Sequence, residues 1–216
     1  MYKQINLWDK PASLEHTEKT SQPIAESLTI PDGDLVIYHT LFNEKESNQL
    51  FSDLYNNTKW KQETIKIYGK SVPIPRLTAW YGDSGKSYTY SKIAMTPEPW
   101  NPALLEIKSK IEVLSGVQFN SVLLNLYRSG GDSVAWHSDD EPELGKNPVI
   151  GSVSFGGTRR FMFRHKYKKE LKNEVNLTHG SFLIMRGATQ HFWQHQIPKT
   201  AKPVEPRINL TFRSIK

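Results

Sequence analysis

Cysteine is absent from the 216 residues of the chain, which excludes disulfide bonds, thiolate metal sites and cysteine nucleophiles together. No apolar run approaches the roughly 18 residues that a membrane-spanning helix needs, and residues 1–30 contain no hydrophobic signal core. Disorder of the whole chain is excluded as well, because 37% of the residues are hydrophobic and 11% are aromatic. We therefore expect a soluble monomer without a membrane partner, located in the cytoplasm of a bacterium or in the nucleus or cytoplasm of a eukaryote.

The chain has an excess of positive charge, with a net charge of +6 and a pI near 9.3, which favours a polyanionic partner. The excess is concentrated in two stretches, residues 59–76 and residues 159–172. Basic stretches of this kind are typical of contacts with phosphate groups. Lysines along exposed strand edges also protect sheets against aggregation, so charge alone leaves both interpretations open.

The N-terminal half predicts an arm followed by two helices. Residues 1–30 are polar and aperiodic, which predicts a flexible arm before a single domain over residues 31–216. Asn43 to Glu46 has the form of a capping box, with apolar residues following at helical spacing. The second helix begins after the cap Asn101 and ends at Gly116. Between the helices, residues 60–68 and 74–80 are strand-like, and a hairpin tip is predicted at residues 69–71.

After Gly116 the pattern changes to short, turn-bounded strands, which predicts a jelly-roll (double-stranded β-helix) core over residues 116–216. The predicted strands are 118–127, 148–155, 160–165, 174–177, 181–186, 191–196 and 206–214. The whole chain is therefore expected to have a mixed α+β fold that is mainly β.

A pair of potential metal ligands lies in the segment from Trp136 to Glu141. In an extended chain, His137 and Asp139 point to the same face, and an imidazole beside a carboxylate supplies two ligands of the facial triad that holds non-haem Fe(II). His191 and His195 are candidates for the third ligand. On a strand these two share a face, whereas on a helix they would resemble a zinc pair. Spacing favours His195, which is nearer the last strand, but does not exclude His191.

Two strands carry polar residues on one complete face. Arg207, Asn209 and Arg213 alternate with apolar residues in the last strand, and Asn125 and Tyr127 do so in an earlier one. The polar face could simply contact water. If it lines the interior of a jelly roll, however, the two arginines require anionic partners, and a dicarboxylate could bind both through bidentate hydrogen bonds. Beside an iron site, that dicarboxylate would be 2-oxoglutarate.

Further motifs extend this pattern: RLTAWYG (76–82), YTYS (88–91), NLY (125–127), WHSDDEPELG (136–145), SVSFG (152–156), WQH (193–195) and PRINLTFR (206–213). Together they resemble the AlkB family of iron- and 2-oxoglutarate-dependent nucleic-acid dealkylases, from about residue 35 onwards. Leu126 departs from the family pattern, which often has arginine there, but it should face away from the cavity.

The resemblance implies specific roles for these residues. Fe(II) would be bound by His137, Asp139 and His195. The cosubstrate 2-oxoglutarate would be bound by Asn125, Tyr127, Arg207, Asn209 and Arg213. Asp140 would contact the target base, and further substrate contacts are expected from Tyr68, Arg76, Tyr88 and Tyr90. Residues 31–115 would then contain the helices and a nucleotide-recognition lid.

The implied activity is oxidative demethylation of 1-methyladenine and 3-methylcytosine in DNA, with RNA as an open alternative. It would consume O2 and 2-oxoglutarate and release formaldehyde, succinate and CO2. The expected partner is alkylated nucleic acid, with single-stranded DNA preferred. Two other hypotheses remain: a 2-oxoglutarate oxygenase that hydroxylates a different substrate, and a non-catalytic jelly roll that binds nucleic acid.

Overall fold

The structure, a computed structural model, describes residues 23–85, 88–90, 93–95 and 97–216. The helices among these residues are α1 (Glu44–Asn57), α2 (Pro102–Ser115) and α3 (Thr189–Phe192). The strands are β1 (Glu26–Ile30), β2 (Gly33–Tyr38), β3 (Thr64–Ile67), β4 (Lys70–Pro73), β5 (Leu77–Gly82), β6 (Tyr88–Tyr90), β7 (Ile93–Met95), β8 (Ser121–Tyr127), β9 (Val134–His137), β10 (Ile150–Gly156), β11 (Arg159–His165), β12 (Lys172–Leu177), β13 (Ser181–Arg186), β14 (Trp193–Ile197) and β15 (Arg207–Arg213).

Two antiparallel sheets form the core of the molecule. The larger sheet has seven strands in the order β1-β2-β13-β10-β15-β8-β5, and the smaller has four in the order β12-β11-β14-β9. Neighbouring strands in both sheets are antiparallel. This arrangement confirms the predicted mainly β, jelly-roll fold.

The two faces of the larger sheet have different neighbours. Ile208, Leu210 and Phe212 of β15 belong to an apolar cluster that also contains Leu50 of α1 and Ile107 of α2, so the helices cover this outer face. A second apolar cluster lies between the inner face of the larger sheet and the smaller sheet. It contains residues of β2 and β13 from the larger sheet and of β11 from the smaller sheet. Because strand side chains alternate, the polar residues of β15 must point inward, between the sheets.

Both long helices begin at their predicted caps, and α2 also ends at the predicted Gly116. Asn43 and Glu46 form a reciprocal capping box at α1, in which each side chain bonds the other residue's backbone N–H. Asn101 caps α2 by accepting from the N–H of Leu104 at 2.9 Å. Gly116 ends α2 in the left-handed region, at φ 70°, where glycine has no steric penalty.

Several predicted boundaries are wrong. Residues 26–30 form β1, which pairs with β2 at the edge of the larger sheet, so the expected arm does not extend to residue 30; residues 1–22 lie outside the described residues. Segments 60–68 and 74–80 do not form one continuous hairpin, although Lys61 and Thr78 pair in an isolated antiparallel bridge. Instead β3 and β4 form a separate hairpin, and β5 joins β8 in the larger sheet. No helix in the described ranges is both long and apolar enough to cross a membrane.

Candidate metal and cosubstrate site

Three potential metal ligands meet between the two sheets. His137 lies at the end of β9 and His195 lies directly opposite it in β14, while Asp139 follows two residues after His137. Each residue offers one ligand atom, and the three atoms lie within 4.8 Å of one another. Two imidazoles and one carboxylate are the donor set of a facial triad, which leaves other positions on the ion open. The cluster therefore fits Fe(II).

Hydrogen bonds orient each of these side chains. Nδ1 of His137 lies 2.9 Å from the carbonyl oxygen of Ala135; since a carbonyl only accepts, Nδ1 carries the proton and Nε2 is left with its lone pair. Asp139 accepts from Nη2 of Arg213 through Oδ1. Its backbone N–H donates to Oε1 of Gln190 at 2.9 Å. The ligand set is thus supported from β15 and α3 as well as from its own strands.

The electrostatics of the cluster also suit a cation. Burial is the largest single influence and would raise the pKa of Asp139, but Arg213, His195 and His137 together outweigh burial and hold that pKa well below its ordinary value. Burial, together with the neighbouring His137, lowers the pKa of His195 to about 3. At neutral pH the carboxylate is therefore ionised and the His195 imidazole is neutral, which are the forms that bind metal.

The alternative histidine lies elsewhere. His191 is in α3 rather than on a strand, and its Nε2 is 2.7 Å from Oδ1 of Asn147. It is not part of the three-residue cluster among the described residues. The short helix turns the chain just before β14, so His191 and His195 do not share a face as the strand prediction assumed.

A cavity of about 610 Å³ adjoins the cluster, and all five predicted cosubstrate residues line it. Arg207, 1% exposed, donates from Nη2 to Oγ of Ser154 at 2.9 Å. Its Nε and Nη1 are buried and have no hydrogen-bond partner in the described part of the chain. Burial lowers the pKa of Arg207 to about 10, so the group is still a cation at neutral pH. A carboxylate would satisfy both donors, and this end of the cavity therefore fits 2-oxoglutarate.

The other predicted cosubstrate residues have different surroundings. Oδ1 of Asn125 accepts from Nε of Arg76 at 2.7 Å, which leaves the amide nitrogen of Asn125 to donate. Both amide hydrogens of Asn209 are used within the protein, by Oγ of Ser152 at 2.8 Å and the carbonyl of Val153 at 3.0 Å. Asn209 therefore has no amide hydrogen left for a ligand and instead bonds the neighbouring strand β10. The amide nitrogen of Asn125, in contrast, can donate to a ligand.

The predicted base-contacting acid, Asp140, and its neighbour Glu141 lie in different surroundings. The carboxylate of Asp140 is about half exposed and pairs with Nζ of Lys166 at 3.0 Å, and Asp140 is not among the residues that line the cavity. Glu141 does line the cavity, and its Oε2 is buried without a hydrogen-bond partner in the described ranges. The chain leaves β9 before a 3₁₀ turn at Pro142–Leu144, so strict alternation no longer applies.

The remaining predicted substrate residues divide into three cases. Arg76 is buried in the cavity wall, where Nη1 also donates to the carbonyl of Ser133 at 3.3 Å. Tyr68 is fully exposed at the tip of the β3–β4 hairpin, with φ 47°. The backbones of Tyr88 and Tyr90 belong to β6, but their side chains lie outside the described residues.

Comparison with known proteins agrees with this geometry. Residues 34–213 match the profile of a family described as the 2OG-Fe(II) oxygenase superfamily. Alpha-ketoglutarate-dependent dioxygenase alkB homolog 3 from Bos taurus is 49% identical over 180 residues, which are 79% of this chain and 62% of that protein. DNA oxidative demethylase ALKBH2 from Bos taurus is 38% identical over 188 residues, which are 82% of this chain and 68% of that protein.

This chain belongs to the AlkB family of the 2OG-Fe(II) oxygenase superfamily. Family membership implies Fe(II), 2-oxoglutarate and O2, and the donor set and the unsatisfied guanidinium fit the first two. The solved structure of OsALKBH1 has a TM-score of 0.59 with 16% identity, covers 88% of this chain and all of that one, and supports the fold. The chain spans less than two thirds of the length of the bovine alkB homolog 3 that it matches.

Sequence reasoning missed several residues that support the AlkB-family site. Ser152 and Ser154 of β10 bond Asn209 and Arg207, and their alternation in SVSFG was a signal that they face the cavity. Gln190, which is fully buried and bonds the backbone of Asp139, gave no comparable signal, because it lies in the short helix α3.

Proposed function

We propose that this chain is an Fe(II)- and 2-oxoglutarate-dependent dioxygenase that oxidatively removes methyl groups from 1-methyladenine and 3-methylcytosine in DNA. The observation that carries the proposal is that one cavity holds both the His137, Asp139 and His195 cluster and the unsatisfied, buried guanidinium of Arg207. A cation site beside an anion site matches a metal-chelating 2-oxo dicarboxylate. Neither feature would be expected of a module that only binds nucleic acid.

Different residues of the cavity would bind the iron and the 2-oxoglutarate. One nitrogen from each histidine and one oxygen of Asp139 would hold the iron, and Arg213 keeps that carboxylate oriented and ionised. Arg207 would bind the distal carboxylate of 2-oxoglutarate, with neutral hydrogen bonds from Tyr127 and the amide nitrogen of Asn125. When bound, iron and 2-oxoglutarate together supply the oxidation of the methyl group by O2, with succinate and CO2 as products. The oxidised methyl group then leaves the base nitrogen as formaldehyde.

Glu141 supports the choice of lesion. Methylation at N1 of adenine or N3 of cytosine gives the base a positive charge, and the carboxylate of Glu141 is positioned at the cavity with a buried, unsatisfied oxygen. A base that donates from its exocyclic amino group could satisfy that oxygen, whereas an unpaired buried acceptor costs free energy. We therefore propose that Glu141, rather than Asp140, contacts the target base.

Exposed lysines support a nucleic-acid substrate. Lys59, Lys61, Lys66 and Lys70 are exposed on and around the β3–β4 hairpin, close to the chain segment that enters the cavity wall at Arg76. Because the methyl group lies on the pairing edge, the base must leave the stack or come from a single strand. Phosphates on either side could then bind these lysines, with an affinity that falls as salt is raised. We propose single-stranded DNA as the preferred form.

The second basic stretch contributes less free charge than its sequence suggests. Arg159 is 3% exposed and bonds backbone carbonyls. Arg164 lies over the Trp136 ring, 4.4 Å from its centroid, and bonds Gln194. Lys168 and Lys169 at the β11–β12 turn are exposed, but Nζ of Lys168 pairs with the carboxylate of Asp32 at 3.0 Å, so Lys169 is the more available to phosphate.

Incubation with an oligonucleotide that carries one 3-methylcytosine tests the function directly. The protein would be loaded anaerobically with Fe(II) and 2-oxoglutarate and then exposed to air, and mass spectrometry would follow the strand. We expect loss of one methyl group that requires both additions, is abolished in His137→Ala and is retained in the matched variant His191→Ala. Succinate formation with an unchanged strand would place the activity on another substrate. No succinate and no demethylation by metal-loaded protein would contradict the enzyme proposal.

A further inference from the structure

Two guanidinium groups lie against one buried tyrosine at the cosubstrate end of the cavity. The Cζ atoms of Arg207 and Arg159 are 5.1 Å and 5.6 Å from the centroid of the Tyr127 ring. The three residues are 1%, 3% and 2% exposed, in the order Arg207, Arg159 and Tyr127. Guanidinium groups at such distances are attracted by the ring, so Tyr127 is held by charges from β15 and β11.

The hydrogen bonds that Arg159 donates go to backbone carbonyl groups and not to a ligand in the cavity. Nη1 donates to the carbonyl of Ser129 at 3.2 Å, and Nη2 donates to the carbonyls of Asp132 at 2.9 Å and Pro198 at 2.6 Å. Ser129 and Asp132 precede β9, and Pro198 follows β14. Arg159 therefore ties together the two segments next to the strands that carry His137 and His195.

The charge of Arg159 is not neutralised by a dedicated carboxylate. The nearest acid, Asp132, receives two side-chain hydrogen bonds from Arg128, at 2.8 Å and 2.9 Å, and offers Arg159 a backbone carbonyl. Burial lowers the pKa of Arg159, but an arginine remains ionised in proteins at neutral pH. Arg159 and Arg207 thus give this end of the cavity two buried positive charges, although only Arg207 has donors left for a ligand.

We propose that Arg159 is a positioning residue that makes the cosubstrate site selective for a dianionic 2-oxo acid over a monoanionic one, by fixing Tyr127 and placing a second charge behind it. The inference rests on the proposed function, in which Arg207 binds the distal carboxylate. A fixed charge behind the binding arginine attracts that carboxylate through the low-dielectric interior. A monocarboxylic 2-oxo acid has no charge at that end and gains much less.

The test compares the affinities of two ligands of equal chain length, 2-oxoglutarate and 2-oxopentanoate. Binding to the Mn(II)-loaded protein would be measured by calorimetry without turnover. We expect Arg159→Gln to lower the affinity for 2-oxoglutarate about tenfold, equivalent to about 1.4 kcal/mol. The affinity for 2-oxopentanoate should fall less than about threefold. Arg159→Lys loses the forked hydrogen bonds of the guanidinium but retains the positive charge, so it should keep the wild-type preference between the two ligands to within about threefold.

Equal weakening of both ligands in Arg159→Gln would overturn the proposal and leave Arg159 with a purely structural role. Loss of the preference in a folded Arg159→Lys protein would also overturn it, and this variant decides the question if Arg159→Gln does not fold. Arg207→Gln separates this inference from the proposed function. If the wild type does not bind 2-oxoglutarate, or Arg207→Gln binds it unchanged, the proposed site itself fails.

Discussion

His137 and His195 face each other across the β9–β14 ladder, with ring centroids 4.3 Å apart. Opposite residues in an antiparallel pair have their side chains on the same face and close together. Two imidazoles are thus brought together by strand register, although they are far apart in the sequence. The relationship makes the register of β14, rather than a flexible loop, responsible for the spacing of the ligands.

The metal site can be tested by binding alone. We expect His195→Ala to weaken Co(II) binding by more than about 100-fold, since it removes a ligand outright and even the residues that orient ligands contribute about 10–100-fold. His191→Ala should bind as the wild type does, because its imidazole bonds Asn147 instead. Cobalt absorption during titration measures both variants. A loss of binding in His191→Ala alone would show that the cluster is not the metal site.

Arg207→Gln should separate ligand affinity from protein stability. We expect 2-oxoglutarate affinity to fall by more than about 100-fold, or about 2.7 kcal/mol, because the two unsatisfied donors of Arg207 are lost. Without the ligand, the melting temperature should stay the same or rise, since a buried and partly unsatisfied charge is removed. Calorimetry and thermal melting give the two values. Arg160, an exposed arginine of β11 in the smaller sheet, supplies the control, and a comparable loss in Arg160→Gln would argue against a specific role for Arg207.

Glu141 and Asp140 allow a matched comparison of neighbouring acids. Glu141→Gln should slow demethylation of 3-methylcytosine by about tenfold or more, as expected for a lost charged hydrogen bond. Asp140→Asn should remain within about twofold, because it loses only a solvent-accessible pair with Lys166. Single-turnover rates on one oligonucleotide measure both effects. The reverse order of sensitivity would restore Asp140 as the base-contacting residue.

Tyr68 tests the preference for single strands. Because its side chain is fully exposed at a hairpin tip, Tyr68→Ala should leave single-strand turnover within about twofold while lowering duplex turnover, where a stacking wedge contributes about 1–3 kcal/mol. Tyr167, 73% exposed at another turn, provides the control Tyr167→Ala. Equal effects on both substrates would show that Tyr68 has no role in opening a duplex.

The α1 cap gives a prediction about stability. Asn43→Ala removes the capping-box bond in which Oδ1 of Asn43 accepts from the N–H of Glu46, and it should lower the free energy of unfolding by about 1 kcal/mol. Asn57→Ala, at the other end of the same helix, should change it by less than about 0.5 kcal/mol. Urea denaturation of the two variants measures the difference. A loss of equal size in both would show that the Asn43 cap makes no specific contribution, since alanine itself favours the helix.

The parts of the fold that follow a regular period were predictable. The caps of α1 and α2 and the alternation in β15 come from local geometry, and the jelly-roll prediction then determined which face of β15 had to be inside. A hairpin tip was predicted at residues 69–71, but the exact turn of the β3–β4 hairpin was not, because Tyr68 at φ 47° lies beside Gly69 at φ 78°, a conformation that a tyrosine rarely adopts.

Predictions failed where the chain leaves a regular element. Glu141 and Asp140 are adjacent acids, and only the backbone direction after β9 decides which one reaches the cavity. His191 was misplaced because four residues of helix precede β14. Arg159 was counted as surface charge, since a run of basic residues does not reveal which of them point inward.

The position of β15 between β10 and β8 has a consequence for folding during synthesis. Both neighbours are made earlier than β15, so neither can complete its pairing until residues 207–213 have been translated. Until then, β10 and β8 of the nascent chain each have an unpaired strand edge, and such edges are prone to association with other chains. The strand that carries Arg207 and Arg213 thus closes the sheet and completes the site in the same step, and a nascent chain that stops before it should bind neither metal nor cosubstrate tightly and should depend on chaperones.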